Sequence, residues 1–482
     1  MNPAQVIADL RAAGRTPQLP VRLEMQAGDV LTLERPLRLV PGKRLVAAGS
    51  WNGRPALVKL FLAEAHQRHG ERERAGLVAL HAAGVRTPAL LAAGSVRGGA
   101  YAVVCEWLAA AEDLGSLWDA AAHSGATADI ARAASLLTEA LPLLAGMHAA
   151  GLAQADLHLG NFLLAGGALY AIDGDAVQVK EAAGPLSDAA VIANLAILFA
   201  GLTPAWDDRI GEFLAAYQAA PGGRPLDVAR VQAAVLTTRA RRLHKFLEKT
   251  GRDCTQFAVA RSWQRVWAVE RRQLARLTPF LAAPDRFVEG SHCFKTGGTC
   301  TVVAAEIDAT PLLIKRYNIK HWRHALSRAW RPSRAWHSWR AAHLLTFYGI
   351  ATPSPLAVLE ERCGPLRGRA FLVTELCPGK NLLDTLQPEQ IPEPPLATAL
   401  LTLFEQLHAL RITHGDCKGT NLFWHAGKVF LIDLDALQQH RSDWRFQRLW
   451  QRDRARFLRN WPADSVLVRW LDAHLPGKAA GG

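Results

Sequence analysis

No two cysteines in this sequence are spaced as a CxxC pair. The seven present (Cys105, Cys254, Cys293, Cys300, Cys363, Cys377 and Cys417) are scattered and odd in number. That pattern argues against a zinc ribbon or a disulfide framework and for free thiols in a reducing compartment. Long apolar runs are also lacking. The most apolar stretch, residues 189–203, is interrupted by Asn194 and reads as a buried helix too short to span a bilayer. The opening residues, MNPAQVIADLRAAGR, lack a charged segment followed by an apolar core, so no signal peptide is expected. Acidic residues are in deficit: 43 Asp and Glu stand against 56 Lys and Arg, a formal net charge of +13. A surplus of that size favours acidic partners such as anionic lipid, a phosphorylated substrate or nucleic acid. Half of the 482 residues are hydrophobic, which excludes a disordered majority, and the length suits two to three domains.

The most informative stretch runs from His414 to Asp435, HGDCKGTNLFWHAGKVFLIDLD. Asp416 is followed five residues later by Asn421, then by a hairpin pattern leading to Asp433. Phosphotransferases of the protein-kinase type use this order. An Asp faces the attacking hydroxyl, an Asn holds one metal ion, and a second Asp holds the Mg²⁺ that bridges the phosphates. A tight loop lets Asp and Asn face one γ-phosphate from two sides, and the hairpin returns the second Asp beneath the metal. Lys418, two residues after Asp416, is placed to neutralise the transferring phosphoryl group.

The pattern occurs twice. Asp156, Asn161 and Asp173 each precede Asp416, Asn421 and Asp433 by 260 positions, as His148 precedes His408. A repeat of this length is a duplicated domain. The expected boundary falls at the basic segment ending in Lys249, giving domains 1–250 and 251–482.

Ahead of each loop comes a strand carrying a lysine. Residues 21–62 alternate as a small antiparallel sheet that includes a hairpin at Ala48–Gly53, with Lys59 on the strand just after it. Lys59 is expected to sit under that glycine loop, although the GxGxxG form is missing. An amphipathic helix ends at Ala83-Gly84, and Glu73 on it is placed to pair with Lys59. Asp188 is expected to cap a helix and hold the first catalytic loop. The second copy repeats the order with Lys315, after a loop at Lys295–Thr299, and with Gly349-Ile350-Ala351-Thr352-Pro353 matching Gly84-Val85-Arg86-Thr87-Pro88. Counting back from these glycines puts Ser338 opposite Glu73, so the second copy lacks the helix glutamate. Glu106 and Glu375 end the strands expected to form each hinge. Asp453 is read as a helix-start residue like Asp188. Residues 315–340 interleave eight Lys and Arg with four Trp. Such a mix suits a membrane interface with anionic headgroups, base stacking, or a solvated helix packed on a core.

Lys315, His414-Gly415-Asp416, Asn421 and Leu431-Ile432-Asp433-Leu434-Asp435 together resemble the bacterial lipopolysaccharide kinases, which include the core heptose and Kdo kinases. The resemblance implies an α+β fold of two tandem bilobal protein-kinase-like domains, each a small antiparallel sheet lobe plus a mostly helical lobe. It implies ATP and Mg²⁺ and transfer of the γ-phosphate to a core sugar. It further implies a lipopolysaccharide core glycolipid and the anionic surface of the inner membrane as partners, at the cytoplasmic face. No nucleic-acid partner is expected. Carried onto this chain, Asp416 and Asp156 would be catalytic bases, with Lys418 beside the first. Lys315 and Lys59 would hold phosphate, Glu73 would pair Lys59, Glu106 and Glu375 would border the nucleotide, and Asn421, Asp433, Asn161 and Asp173 would hold metal. Gln154 replaces the usual loop His, and His158 stands where Lys418 does. The competing readings are a pseudokinase scaffold and a small-molecule kinase of the aminoglycoside or choline type.

Overall fold

The computed structural model describes residues 2–14, 16–124, 127–180, 184–297, 299–318 and 333–477. The chain divides into two compact units: residues 1–202 with 206–239, and residues 203–205 with 240–482.

Unit 1 opens with a six-stranded antiparallel sheet in the spatial order Val21–Glu24, Val30–Val40, Arg44–Trp51, Arg54–Phe61, Ala100–Glu106, Leu90–Val96. Alternating residues (Leu31, Leu33, Leu45, Ala47, Val58, Leu60) seal one face against the helix Pro3–Ala12. Asn52 and Gly53 both take positive φ, 48° and 81°, the turn chemistry that closes a two-residue hairpin. The helix His66–Ala82 follows, ending where Gly84 enters the left-handed region at φ 68°.

The second lobe of unit 1 is helical, built on Thr127–Ala149, Asp188–Phe199, Ile210–Ala219 and the part of Val228–Lys249 up to Arg239. Among the described residues, Thr127–Ala149, whose helical pattern runs into the first loop, is long and apolar enough to cross a membrane by length and composition. Half of its apolar window is buried, however, and Leu137, Leu141 and Leu144 are sealed in the unit's core, as suits a central helix of a folded lobe.

Unit 2 repeats the plan with a seven-stranded sheet. Its order is Phe257–Arg261, Arg265–Glu270, Pro355–Cys363, Leu366–Glu375, Thr310–Tyr317, Cys300–Ile307, His292–Thr296. The helix Arg334–Phe347 corresponds to His66–Ala82, and Gly349 ends it at φ 75° as Gly84 ends the first. The helical lobe rests on Pro394–Ala409, Asp443–Leu458 and Val466–His474, packed through Phe404, Trp450 and Phe457. Sheet lobe plus helical lobe, twice, is the α+β architecture expected.

Candidate active site

In both units the loop between a short strand and a hairpin carries the candidate residues. Unit 1 pairs Leu152–Gln154 with Val177–Val179 across its loop, and unit 2 pairs Ile412–Thr413 with Gln438–Gln439. The enclosed hairpins are Phe162–Ala165 with Ala168–Ala171, and Leu422–His425 with Lys428–Leu431. Just beyond them, Asp173 and Asp433 both take positive φ, 74° and 57°. A non-glycine residue held there costs roughly 1–3 kcal/mol, and such strain concentrates at functional sites.

In unit 1, Lys59 lies on Arg54–Phe61, opposite Val46. Its Nζ is 2.5 Å from Glu73 Oε1 and 3.4 Å from Asp173 Oδ1. Glu73 has no solvent exposure and also accepts the backbone N–H groups of Gly174 (3.2 Å) and Asp175 (2.9 Å). Burial alone would lower the Lys59 ammonium, but Glu73 and Asp173 outweigh it and raise it above its ordinary value. The Asn52-Gly53 turn is six residues from Lys59 along the strand and does not cover it, contrary to expectation. The opposite turn, Pro41-Gly42-Lys43, is nearer the site: Arg44 and Arg38 beside it, together with Lys59, outweigh burial and hold the Asp173 carboxyl below its usual range.

The first catalytic loop hangs on a hydrogen-bond frame. Gln154 Nε2 donates to the carbonyls of Ile172 (2.8 Å) and Asp173 (3.1 Å). In unit 2 His414 Nε2 lies 2.9 Å from the Ile432 carbonyl, so Gln154 reproduces the contact of the histidine it replaces. Asp188 does not hold the loop; it is exposed and pairs with Arg224 at 2.9 Å. Asn194 does. Its Nδ2 donates to the Gln154 carbonyl (2.8 Å), and its Oδ1 meets the His148 ring (3.0 Å). The sequence signal was the lone polar residue in the apolar run 189–203. Asp156 is exposed. Asn161 Oδ1 accepts the His158 N–H at 3.2 Å, while its Nδ2 is buried without a partner.

In unit 2, Lys315 on Thr310–Tyr317 reaches Asp433 Oδ1 at 2.5 Å and Asp435 Oδ1 at 2.9 Å. Burial opposes its charge, but the oxygens of Tyr317, Asp435 and Asp433 raise the ammonium above its ordinary value. Asp453 sits in the middle of Asp443–Leu458, not at a helix start, and its carboxylate accepts the N–H of His414 (2.6 Å) and of Gly415 (3.0 Å). It is the counterpart of Asn194. Asp416 receives Lys418 Nζ at 3.3 Å and the Arg456 guanidinium. Burial pushes its carboxyl up, yet these two cations prevail and hold it below the usual range. A carboxylate paired in this way with two cations is a weak proton acceptor. Arg456 escaped the sequence reading because it lies forty residues away on a helix with many arginines.

A cavity of about 570 Å³ joins Lys295, Lys315, Glu375, Lys418, Asn421 and Asp433. Glu375 is at its rim with its N–H already on the Ser354 carbonyl (3.0 Å), and the lining continues through Leu376, Cys377 and Gly379. In unit 1 Glu106 is exposed, and its N–H is likewise taken, by the Ala89 carbonyl at 2.9 Å. Of the basic Trp-containing segment, residues 319–332, including Lys320, Trp322, Arg323, Arg328, Trp330 and Arg331, lie outside the described residues. Within the described part, Trp339 is buried and donates to the Thr250 carbonyl at 3.2 Å, while Arg340 is exposed.

Residues 295–465 match the model of the lipopolysaccharide kinase (Kdo/WaaP) family. This part of the chain is similar to the lipopolysaccharide kinases. That family is a kinase family, and an ATP-dependent phosphotransferase fits the chain. No curated protein matches the sequence. Among solved structures, "WaaP in complex with acyl carrier protein" is 22% identical with TM-score 0.33, covering 44% of this chain and 89% of that one. The BubR1 kinase domain is 12% identical with TM-score 0.33, covering 50% and 95%. Vaccinia related kinase 3 is 10% identical with TM-score 0.29, covering 53% and 82%.

The donor set of unit 2 fits Mg²⁺. Asn421 donates from its Nδ2 to the Asp416 carbonyl (3.0 Å) and carboxylate (3.3 Å), and among the described residues no hydrogen bond engages its amide oxygen, which leaves it to join Asp433. Among the described residues no cluster of three or more His, Cys, Asp or Glu could hold a metal. When bound, the ion would neutralise charge developing on the transferred phosphoryl group. Unit 1 fits less well, because Asn161 has committed its oxygen to His158.

Proposed function

We propose that this protein transfers the γ-phosphate of ATP, with Mg²⁺, to a sugar hydroxyl of the lipopolysaccharide core, heptose being the expected acceptor. In this reading two kinase-like domains occupy residues 1–250 and 251–482, and unit 2 carries out the transfer. The observation that carries it is the convergence of Lys315, Asp433, Asn421 and Lys418 on one cavity, with Asp416 beside Lys418. Lys315 holds phosphate, Asn421 and Asp433 hold the metal, Asp416 orients the acceptor hydroxyl, and Lys418 offsets charge on the moving group. Glu375 borders the nucleotide. The net charge of +13 suits a phosphorylated, membrane-borne acceptor at the cytoplasmic face of the inner membrane.

For unit 1 a second reading, nucleotide or partner binding without transfer, is favoured by the engaged oxygen of Asn161 and by the exposed Asp156, which has no cation on it among the described residues. In the first reading Lys59, Glu73 and Glu106 serve its nucleotide, Asn161 and Asp173 its metal, and Asp156 its acceptor. The test is the intact mass of core oligosaccharide from cells with and without the protein, together with ATP turnover in vitro. Loss of one phosphate mass in its absence supports the kinase; an unchanged core and no ATP turnover exclude it. Membrane contact is tested by changing Arg323, Arg328 and Arg331 to Glu, which should weaken salt-sensitive binding to anionic vesicles.

A further inference from the structure

Unit 2 lacks the glutamate that anchors the phosphate lysine in unit 1, since Ser338 stands in its place. A lysine beneath a nucleotide needs a carboxylate of its own. Without one, its long side chain is neither oriented nor kept from the metal ligands. Lys315 touches two carboxylates, Asp433 at 2.5 Å and Asp435 at 2.9 Å. If Asp433 is committed to the metal, as the proposed function holds, Asp435 is the carboxylate left for Lys315.

Asp435 is built into place. Its Oδ1 accepts the hydroxyls of Tyr317 (2.5 Å) and Ser338 (2.7 Å), and its Oδ2 faces Arg334 at 3.7 Å. Tyr317 and Ser338 are both buried, so neither hydroxyl has ready access to water as an alternative. Unit 1 keeps the aspartate but not its surroundings. Two residues after its lysine stands Phe61, which has no hydroxyl to offer. Asp175, the counterpart of Asp435, turns away to Arg72 at 2.7 Å. Glu73 occupies the helix instead. Its approach depends on two glycines: a Cβ on Gly76 would lie 2.0 Å from the Gly174 carbonyl oxygen. The same register in unit 2 carries Ala341 and Leu434, whose side chains forbid so close an approach.

We infer that Asp435, held by Tyr317 and Ser338, is the positioning residue for Lys315 in unit 2 and replaces the missing helix glutamate. The two units exchange one carboxylate site for another. Glu with Phe and paired glycines is one solution; Asp with Tyr, Ser and larger neighbours is the other. This inference rests on the kinase reading of unit 2.

The experiment reads each lysine separately. The full chain is treated with an acyl-phosphate derivative of ATP, which acylates a lysine beside bound phosphates, and the Lys315 and Lys59 peptides are quantified by mass spectrometry. The readout is the Mg–ATP concentration that half-protects each lysine. Asp435→Ala and the isosteric Asp435→Asn should raise that concentration at Lys315 about tenfold, the scale of one lost charge-assisted contact, and leave Lys59 unmoved. Adding Ser338→Glu to Asp435→Ala should recover most of the loss, because it returns a carboxylate to the helix position used in unit 1. A merely structural role would not be rescued from another element. Half-protection unchanged in folded Asp435→Asn, or a loss that Ser338→Glu does not recover, overturns the inference and leaves the kinase reading standing. No protection of wild-type Lys315 at any Mg–ATP concentration overturns both.

Discussion

Lys59 and Lys315 occupy equivalent strands in two sheets, yet their surroundings differ. Lys59 faces a glutamate sealed from solvent and fixed by two backbone N–H groups. Lys315 faces two loop aspartates at the edge of an open cavity. The catalytic loops differ in the opposite sense. Unit 2 places Lys418 and Arg456 on Asp416 and leaves the Asn421 oxygen free, whereas unit 1 leaves Asp156 exposed and ties up the Asn161 oxygen. Unit 1 thus keeps the lysine–glutamate anchor and unit 2 keeps the transfer loop. The two units share one plan but differ in which part of it is complete, so the presence of one part does not indicate the state of the other.

The sharpest way to break this comparison is to remove the loop aspartates one at a time. Under the proposed function, Asp416→Ala removes the residue that orients the acceptor, and such groups contribute roughly 10²–10⁴-fold. Asp433→Ala removes a metal ligand and should cost at least as much. The same losses are not expected from Asp156→Ala and Asp173→Ala if unit 2 alone transfers phosphate. ATP turnover and core phosphate content, measured for all four folded variants, decide it. Equal losses in both units would show shared chemistry.

A second comparison concerns stability. Lys59→Met leaves Glu73 buried and charged, and breaking a buried pair in this way costs about 3–5 kcal/mol. Lys315→Met should cost much less, because Asp433 is exposed enough to rehydrate. Hydrogen exchange resolved by peptide, which reports each unit separately, should show the loosening confined to unit 1.

Acid should also weaken unit 1 through one buried ring. Burial lowers His148 to about 4, against an ordinary value near 6.5, because its ring is enclosed between Asn194 and Tyr217. The folded state therefore binds the proton less well than the unfolded chain. Stability from the neutral ring is complete above about pH 6.5 and is lost as pH falls toward 4. Between pH 7 and pH 5 this amounts to about 2 kcal/mol. Urea unfolding at the two pH values, for the natural protein and His148→Gln, should show that share of the loss only where the histidine is present.

Much of this was legible in the residues. The 260-residue repeat, the strand lysines, the helix glycines and the loop Asp, Asn and Asp all depend on local spacing, which sequence displays directly. What stayed hidden depends on tertiary approach. Asn194 holds its loop from a distant helix, where its side chain read only as a polar interruption, and Asp453, expected at a helix start, holds the other loop from mid-helix. Arg456 reaches Asp416 across forty residues of chain. The glycine turn over the first site was placed at the wrong end of the strand Arg44–Trp51 because alternation locates strands but not which end faces the cleft. Asp435 was visible as part of a motif, but its pairing with Lys315 follows only once Tyr317, Ser338 and the lysine meet in space.

The smallest expected effect tests whether the loop residue at position 154 carries chemistry or only geometry. Gln154 Nε2 already donates to the carbonyls of Ile172 and Asp173, the contact that His414 makes to Ile432. Gln154→His would exchange one donor for another at a buried site bordered by Asn194. The net value of a single neutral hydrogen bond is about 1 kcal/mol, and here it is replaced rather than lost. Stability should shift by less than about 1 kcal/mol, and unit 1 should gain no transfer activity, since Asn161 remains engaged by His158. Gln154→Ala is the contrast: it strands two carbonyls next to Asp173 and should cost about 1–3 kcal/mol. A gain of phosphate transfer on restoring histidine alone would mean that unit 1 was silenced at this position, and that the engaged Asn161 oxygen is not what separates the two loops.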